Sequence, residues 1–102
     1  MISKNRFIRL NEAIQPTLLN LIPSILPQGK RQGPYWIALN PTRHDRSVGS
    51  FKINLQTGHW ADYATGDSGR DAISLVAYLY GLKQGEAATY LERISGVAAN
   101  DN

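Results

Sequence analysis

The apolar residues of this 102-residue chain change their spacing twice, and no single class of secondary structure accommodates all three patterns. Leu18, Leu19, Ile22, Ile25 and Leu26 recur at helical intervals, which predicts helix over residues 12–26, either one bent helix or two short ones. Pro16 is tolerable there as a first helical residue, and Pro23 interrupts or kinks the run. Pro27 to Pro34 is rich in turn formers and reads as a link. Beyond it, Tyr35–Leu39, Ser50–Leu55 and His59–Tyr63 are short, aromatic and β-branched, the second in strict alternation, and predict a three-stranded antiparallel sheet over 35–63. Helical spacing then returns. Ser68-Gly69-Arg70-Asp71 has capping-box spacing, and Ile73, Val76, Ala77 and Tyr80 follow on one face before Gly81. Ala87, Tyr90, Leu91 and Ile94 repeat that face from near Gln84 to Gly96, giving a helical pair over 68–96. Helix, sheet and helical pair make a small single-domain α+β fold.

Composition narrows the chemistry. Cysteine is absent, which removes disulfides, thiolate zinc sites, iron–sulfur clusters and cysteine nucleophiles. No apolar run approaches the roughly 18 residues that span a bilayer, and no secretory signal follows the opening charges, so no membrane partner and a cytoplasmic setting are expected. Asp62, Asp67 and Asp71 with His59 or His44 could suggest a magnesium or nuclease cluster. Asp71 reads better as a cap, Asp62 as a cross-strand partner of Lys52, and Asp67 as a loop residue. No nucleophile elbow, Walker loop or dinucleotide fingerprint is present. No catalytic residue, metal ligand or cofactor is assigned, and the chain is expected not to be an enzyme on its own.

The net charge is +3, and the basic excess lies before residue 53. Lys30, Arg31, Arg43, Arg46 and Lys52 face Asp45 alone in residues 30–52, an electrostatic footprint suited to nucleic acid. Arg43, His44 and Arg46 fall on one connection leading into Lys52, where they can neutralise phosphates. Arg70 opens a helix, where an anion is already favoured, or pairs with Asp67 or Asp71. Trp60 with Lys52, and Trp36 or Tyr35 with Lys30 and Arg31, offer stacking platforms beside cations. The turn Gln56-Thr57-Gly58 decides which rings are exposed. A three-residue bulged loop pairs Leu55 with His59 and Lys52 with Asp62, leaving Trp60 outward and Tyr63 in the core. A two-residue loop instead buries Trp60 with Phe51 and Ile53; the bulged register is preferred.

Residues 40–76 carry a further pattern. Asn40-Pro41-Thr42-Arg43, then Gly49-Ser50-Phe51-Lys52, Trp60-Ala61-Asp62-Tyr63-Ala64-Thr65-Gly66 and Asp71-Ala72-Ile73-Ser74 resemble the N-terminal zinc-binding domain of bacterial and phage DNA primases, over residues 35 to about 95. The metal ligands of that family fall here on Asn40, on Arg43 or His44, and on Asp62 and Thr65. At most one imidazole and one carboxylate remain, so the resemblance implies a zinc-ribbon-like sheet without zinc. Its stability is then expected from the aromatic residues and the leucine-rich helix. The whole looks like the metal-free front domain of primase-helicase-like proteins carried by phages, plasmids and other mobile elements. That likeness implies a module at the N-terminus of a longer replication protein, holding single-stranded DNA, or RNA, on Lys30, Arg31, Trp36, Arg43, His44, Arg46, Lys52, Trp60 and Arg70. An interaction module docking helicase or polymerase subunits through the N-terminal helix is the alternative; it requires Leu18, Leu19, Ile22 and Ile25 to form an open patch. The nucleic-acid reading in this form fails if both indoles are buried and the arginines lie on different sides.

Overall fold

A computed structural model describes residues 5–43 and 49–96. The order of elements is α1 (Arg6–Ile14), a 3-10 turn (Gln15–Thr17), α2 (Leu18–Ile25), β1 (Gly29–Gln32), β2 (Tyr35–Ala38), β3 (Phe51–Asn54), β4 (Trp60–Asp62), β5 (Asp67–Gly69), α3 (Ala72–Tyr80) and α4 (Gln84–Ser95). The strands form one antiparallel meander in chain order. The α+β class is as expected, but among the described residues the sheet has five strands where three are predicted.

The two additional strands escape pattern reading because neither has an apolar face of its own. Gly-Lys-Arg-Gln and Asp-Ser-Gly pair at the sheet edges along backbone ladders, and the burial they gain belongs to their neighbours. Gly33, at φ +60° and followed by Pro34, makes the two-residue β1–β2 turn, a conformation that needs glycine first.

The helical segment begins earlier than its apolar spacing indicates, because Asn5 caps α1 by accepting from the Ile8 N–H at 2.9 Å. Pro16 sits in the 3-10 turn that separates α1 from α2, and Pro23 lies inside α2. Two short helices are therefore the outcome. The capping box of α3 is three residues later than read from Ser68: Asp71 accepts from the Ser74 N–H at 2.8 Å, and the Ser74 hydroxyl takes the Asp71 N–H. Gly81 and Gly96 close α3 and α4 in the left-handed region, as expected. Tyr80 and Ile94, assigned to apolar faces, are exposed, and the Tyr80 ring packs on Tyr90 instead.

Among the described residues, α1, α2, α3 and α4 lie on one side of the sheet. Leu10 and Ile14, Leu18 and Ile22, Ile73 and Val76, and Ala87 and Leu91 share a core with Ala38, Phe51, Ile53 and Trp60. Arg6 ties α1 to α4: its guanidinium donates to Glu92 Oε1 at 2.7 Å, Glu92 Oε2 at 3.3 Å and Thr89 Oγ1 at 2.8 Å. Ile37 is buried yet outside that core, because it stands on the opposite face of the sheet.

Candidate nucleic-acid interface

Which side chains stand on the face away from the helices is set by the register of β3 and β4. Ile53 pairs with Trp60, Lys52 with Ala61 and Phe51 with Asp62, one residue away from the bulged register. The cause is Asn54. Its Oδ1 accepts from the N–H groups of Gln56 (2.8 Å) and Thr57 (3.1 Å), and its carbonyl accepts from Gly58 (2.8 Å). Gly58, at φ +84°, then returns the chain so that the Asn54 N–H donates to the His59 carbonyl at 2.7 Å. Residues 55–58 form the connection, and the slip reverses every side chain of β4.

Trp60 is consequently not a platform. It is 5% exposed, its ring lies edge-on to Phe51 at 6.2 Å and over Tyr78 at 4.6 Å, and its Nε1–H donates to the Ser74 hydroxyl at 3.0 Å. Trp36 also faces the helices, half-buried, with Nε1–H donating to the Leu26 carbonyl at 2.8 Å. Both indoles rest on glycines of the edge strands. A Cβ on Gly29 would come within 2.7 Å of Trp36 Nε1, and one on Gly69 within 2.6 Å of Trp60 Cε2.

Nor do the arginines among the described residues form a cluster. Arg31 shares the Trp36 side of the sheet and donates to the Gly33 carbonyl at 3.0 Å. Arg43 turns onto Asp62, and Arg70 lines a cavity with α1 residues Ile8 and Asn11, pairing with neither Asp67 nor Asp71 among the described residues. His44 and Arg46 lie outside the described residues. Among the described residues, then, the buried Trp60, the half-buried Trp36 and the separated Arg31, Arg43 and Arg70 do not come together on one surface.

On the outer face the registers bring together Lys30, Gln32, Tyr35, Ile37, Lys52 and Asn54, with Ala61 opposite Lys52. Tyr63, assigned to the core by the bulged register, is 73% exposed, and Tyr35 is 42% exposed. Lys52 Nζ sits 5.7 Å from the centre of the Tyr63 ring, within cation–π range. Tyr35, Lys52, Asn54, His59 and Tyr63 line one shallow groove of about 170 Å³. No carboxylate occupies the outward strand positions, because Asp62 and Asp67 pair with each other on the inner face. The lysines are where the sequence places them. Of the alternatives Trp36 and Tyr35 it is Tyr35 that stands on this face, and Tyr63 replaces Trp60, the signal that separates the last two being the Asn54 cap.

The four positions on which the primase likeness puts metal ligands lie at one end of the sheet. Asp62 is fully buried there. Its Oδ2 accepts from Asn40 Nδ2 at 2.8 Å, its Oδ1 accepts from the Ala64 N–H at 2.8 Å and lies 3.5 Å from Arg43 Nη1, and Thr65 returns to its carbonyl. The expected partnership of Asp62 with Lys52 does not form, because the two residues stand on opposite faces. Burial alone would push the Asp62 carboxyl up; the hydrogen bonds from Asn40, the Ala64 N–H and Ser50, with the charge of Arg43, outweigh it and hold it below the usual carboxylate range. This donor set does not fit zinc. It offers one carboxylate with a guanidinium beside it, an amide whose NH₂ points at that carboxylate, and a hydroxyl. Among the described residues no group of three or more His, Asp or Glu side chains comes together.

No protein-family model matches the sequence, and no curated protein does. In three dimensions the chain is similar to the crystal structure of the zinc-binding and RNA polymerase domains of Aquifex aeolicus primase, with a TM-score of 0.74 over 92% of its length and 21% sequence identity. The fold is primase-like. The chain spans 22% of that primase chain. Among the described residues no helix is long and apolar enough to cross a membrane.

Proposed function

We propose that this chain is a single-stranded nucleic-acid-binding module of a primase- or helicase-type replication protein, DNA being the first candidate strand, and that it performs no catalysis by itself. The observation that carries the reading is the helix-free sheet face: Lys30 and Lys52 beside the exposed rings of Tyr35 and Tyr63, with no carboxylate among the outward strand positions. Lysines neutralise phosphates without reading sequence, and exposed rings stack on bases only where those bases are unpaired. The primase-like fold and the motifs of residues 40–76 support a place in replication, with the matched portion read as the zinc-domain part of the primase. The likeness to metal-free front domains of phage and plasmid proteins supports a mobile element as the source and the cytoplasm as the setting.

Docking of helicase or polymerase subunits through the N-terminal helix has less support. Leu18 and Ile22 are sealed in the core, Ile25 is partly buried, and Leu19 alone of that set is exposed. The binding test is fluorescence anisotropy of a labelled single-stranded oligonucleotide against salt. Two phosphate contacts predict a slope of log K on log salt of roughly −1.4. A dissociation constant weaker than about 1 mM near 100 mM salt, or a flat salt dependence, would overturn the proposal.

A further inference from the structure

We propose that the cluster of Asn40, Arg43, Asp62, Thr65 and Tyr78 is a metal-free fastener that joins the loop after β2 to the far end of the sheet. Two turns meet there. In one, Asn40 Oδ1 accepts from the Thr42 N–H (2.9 Å) and hydroxyl (2.7 Å), while the Arg43 N–H donates to the Asn40 carbonyl at 3.2 Å. In the other, the Asp62 carbonyl accepts from the N–H groups of Thr65 (3.2 Å) and Gly66 (2.8 Å), and Asp62 Oδ1 accepts from Ala64. Each turn is thus organised by its own first side chain, an Asx arrangement that needs no ion to hold its shape.

The bond from Asn40 Nδ2 to Asp62 Oδ2 joins the turns, and Arg43 adds its charge to the same carboxylate. The Tyr78 hydroxyl extends the junction to α3 and β5: it accepts from Asn40 Nδ2 at 2.8 Å and donates to Asp67 Oδ2 at 2.8 Å. Among the described residues no buried side-chain nitrogen or oxygen lacks a partner, so the corner has no orphaned donor or acceptor that a ligand would have to satisfy. The guanidinium supplies the positive charge that a buried carboxylate requires, and it does so through planar, directional donors.

The fastener is independent of whether the outer sheet face binds nucleic acid, and melting, not binding, tests it. The wild-type chain is melted in EDTA and again with one equivalent of zinc. The expected result is a midpoint unchanged within about 2 °C in both, with zinc not retained through purification. Asp62→Asn keeps the side-chain shape but replaces an acceptor with a donor facing Asn40, and should lower the midpoint by roughly 5–15 °C. Hydrogen exchange on the wild-type chain in EDTA supplies a readout that does not depend on a variant folding: the Thr42, Ala64 and Gly66 amides should be protected. A chelator-induced fall of about 5 °C or more, stoichiometric zinc in the purified protein, unprotected amides at those three positions, or an Asp62→Asn chain that melts like wild type would each overturn the proposal.

Discussion

A methyl group at Gly69 has no room. Its Cβ would stand 2.6 Å from Trp60 Cε2 and closer still to Trp60 Nε1 and the Ser74 hydroxyl. Trp60 has nowhere to retreat, since its ring is held edge-on by Phe51 and from above by Tyr78, and it is 5% exposed. Overpacking of this kind costs about 1–3 kcal/mol, and forcing the indole away breaks its 3.0 Å bond to Ser74 for about 1 kcal/mol more. Gly69→Ala should therefore lose about 2–4 kcal/mol, which for a chain of this length lowers the melting midpoint by about 10–25 °C. Circular dichroism melts measure it, with Gly85→Ala as the control. A Cβ at Gly85, inside α4, meets nothing within 4 Å, and there the same substitution should raise stability by about 0.5–1 kcal/mol. If Gly69→Ala melts within about 2 °C of wild type, the indole does not rest on that glycine. The Trp60–Gly69 pairing would then be wrong, and with it the inward seat of the Trp60 ring beside Ser74.

Other consequences are as specific. Because the folded state holds the Asp62 carboxyl below its unfolded value, the stability this group contributes is present above about pH 4 and lost as pH falls through the lower folded value. Urea midpoints should drop on acidification through that window, and the drop should be smaller in Asp62→Asn. Arg6→Ala removes the ion pair between α1 and α4, whose side chains are 34% and 23% exposed. Solvent screening limits the loss to about 1 kcal/mol, and the loss should shrink further in high salt. Tyr63→Ala leaves the core untouched, so the melting midpoint should hold while affinity for single-stranded DNA falls by roughly 5-fold to 100-fold in anisotropy titrations.

What could be read from the sequence follows physical lines. The helical pair was legible because Ile73, Val76, Ala87 and Leu91 form apolar faces and Gly81 and Gly96 supply stops that only glycine makes easily. The edge strands were not, since Gly29–Gln32 and Asp67–Gly69 owe their pairing to neighbouring backbone and have no apolar alternation. The central hairpin was legible in outline but not in register. Asn54 caps its own turn with its side chain, and this local competitor of a regular loop moved the pairing by one residue. That single step exchanged Trp60 for Tyr63 on the helix-free face, where Lys30, Lys52 and Tyr35 of the sequence candidates also stand. The meeting of Asn40 with Asp62 is a contact across 22 positions that spacing alone does not reveal.

The central claim, that the helix-free face of the sheet receives nucleic acid, is tested most directly by mapping amide and side-chain NMR shifts during titration with single-stranded DNA. Perturbations are expected along Lys30, Tyr35, Lys52, Ala61 and Tyr63, with binding abolished by Lys30→Glu combined with Lys52→Glu. Shifts confined to the helical side, around Arg70 or α4, or binding that survives both charge reversals, would contradict it.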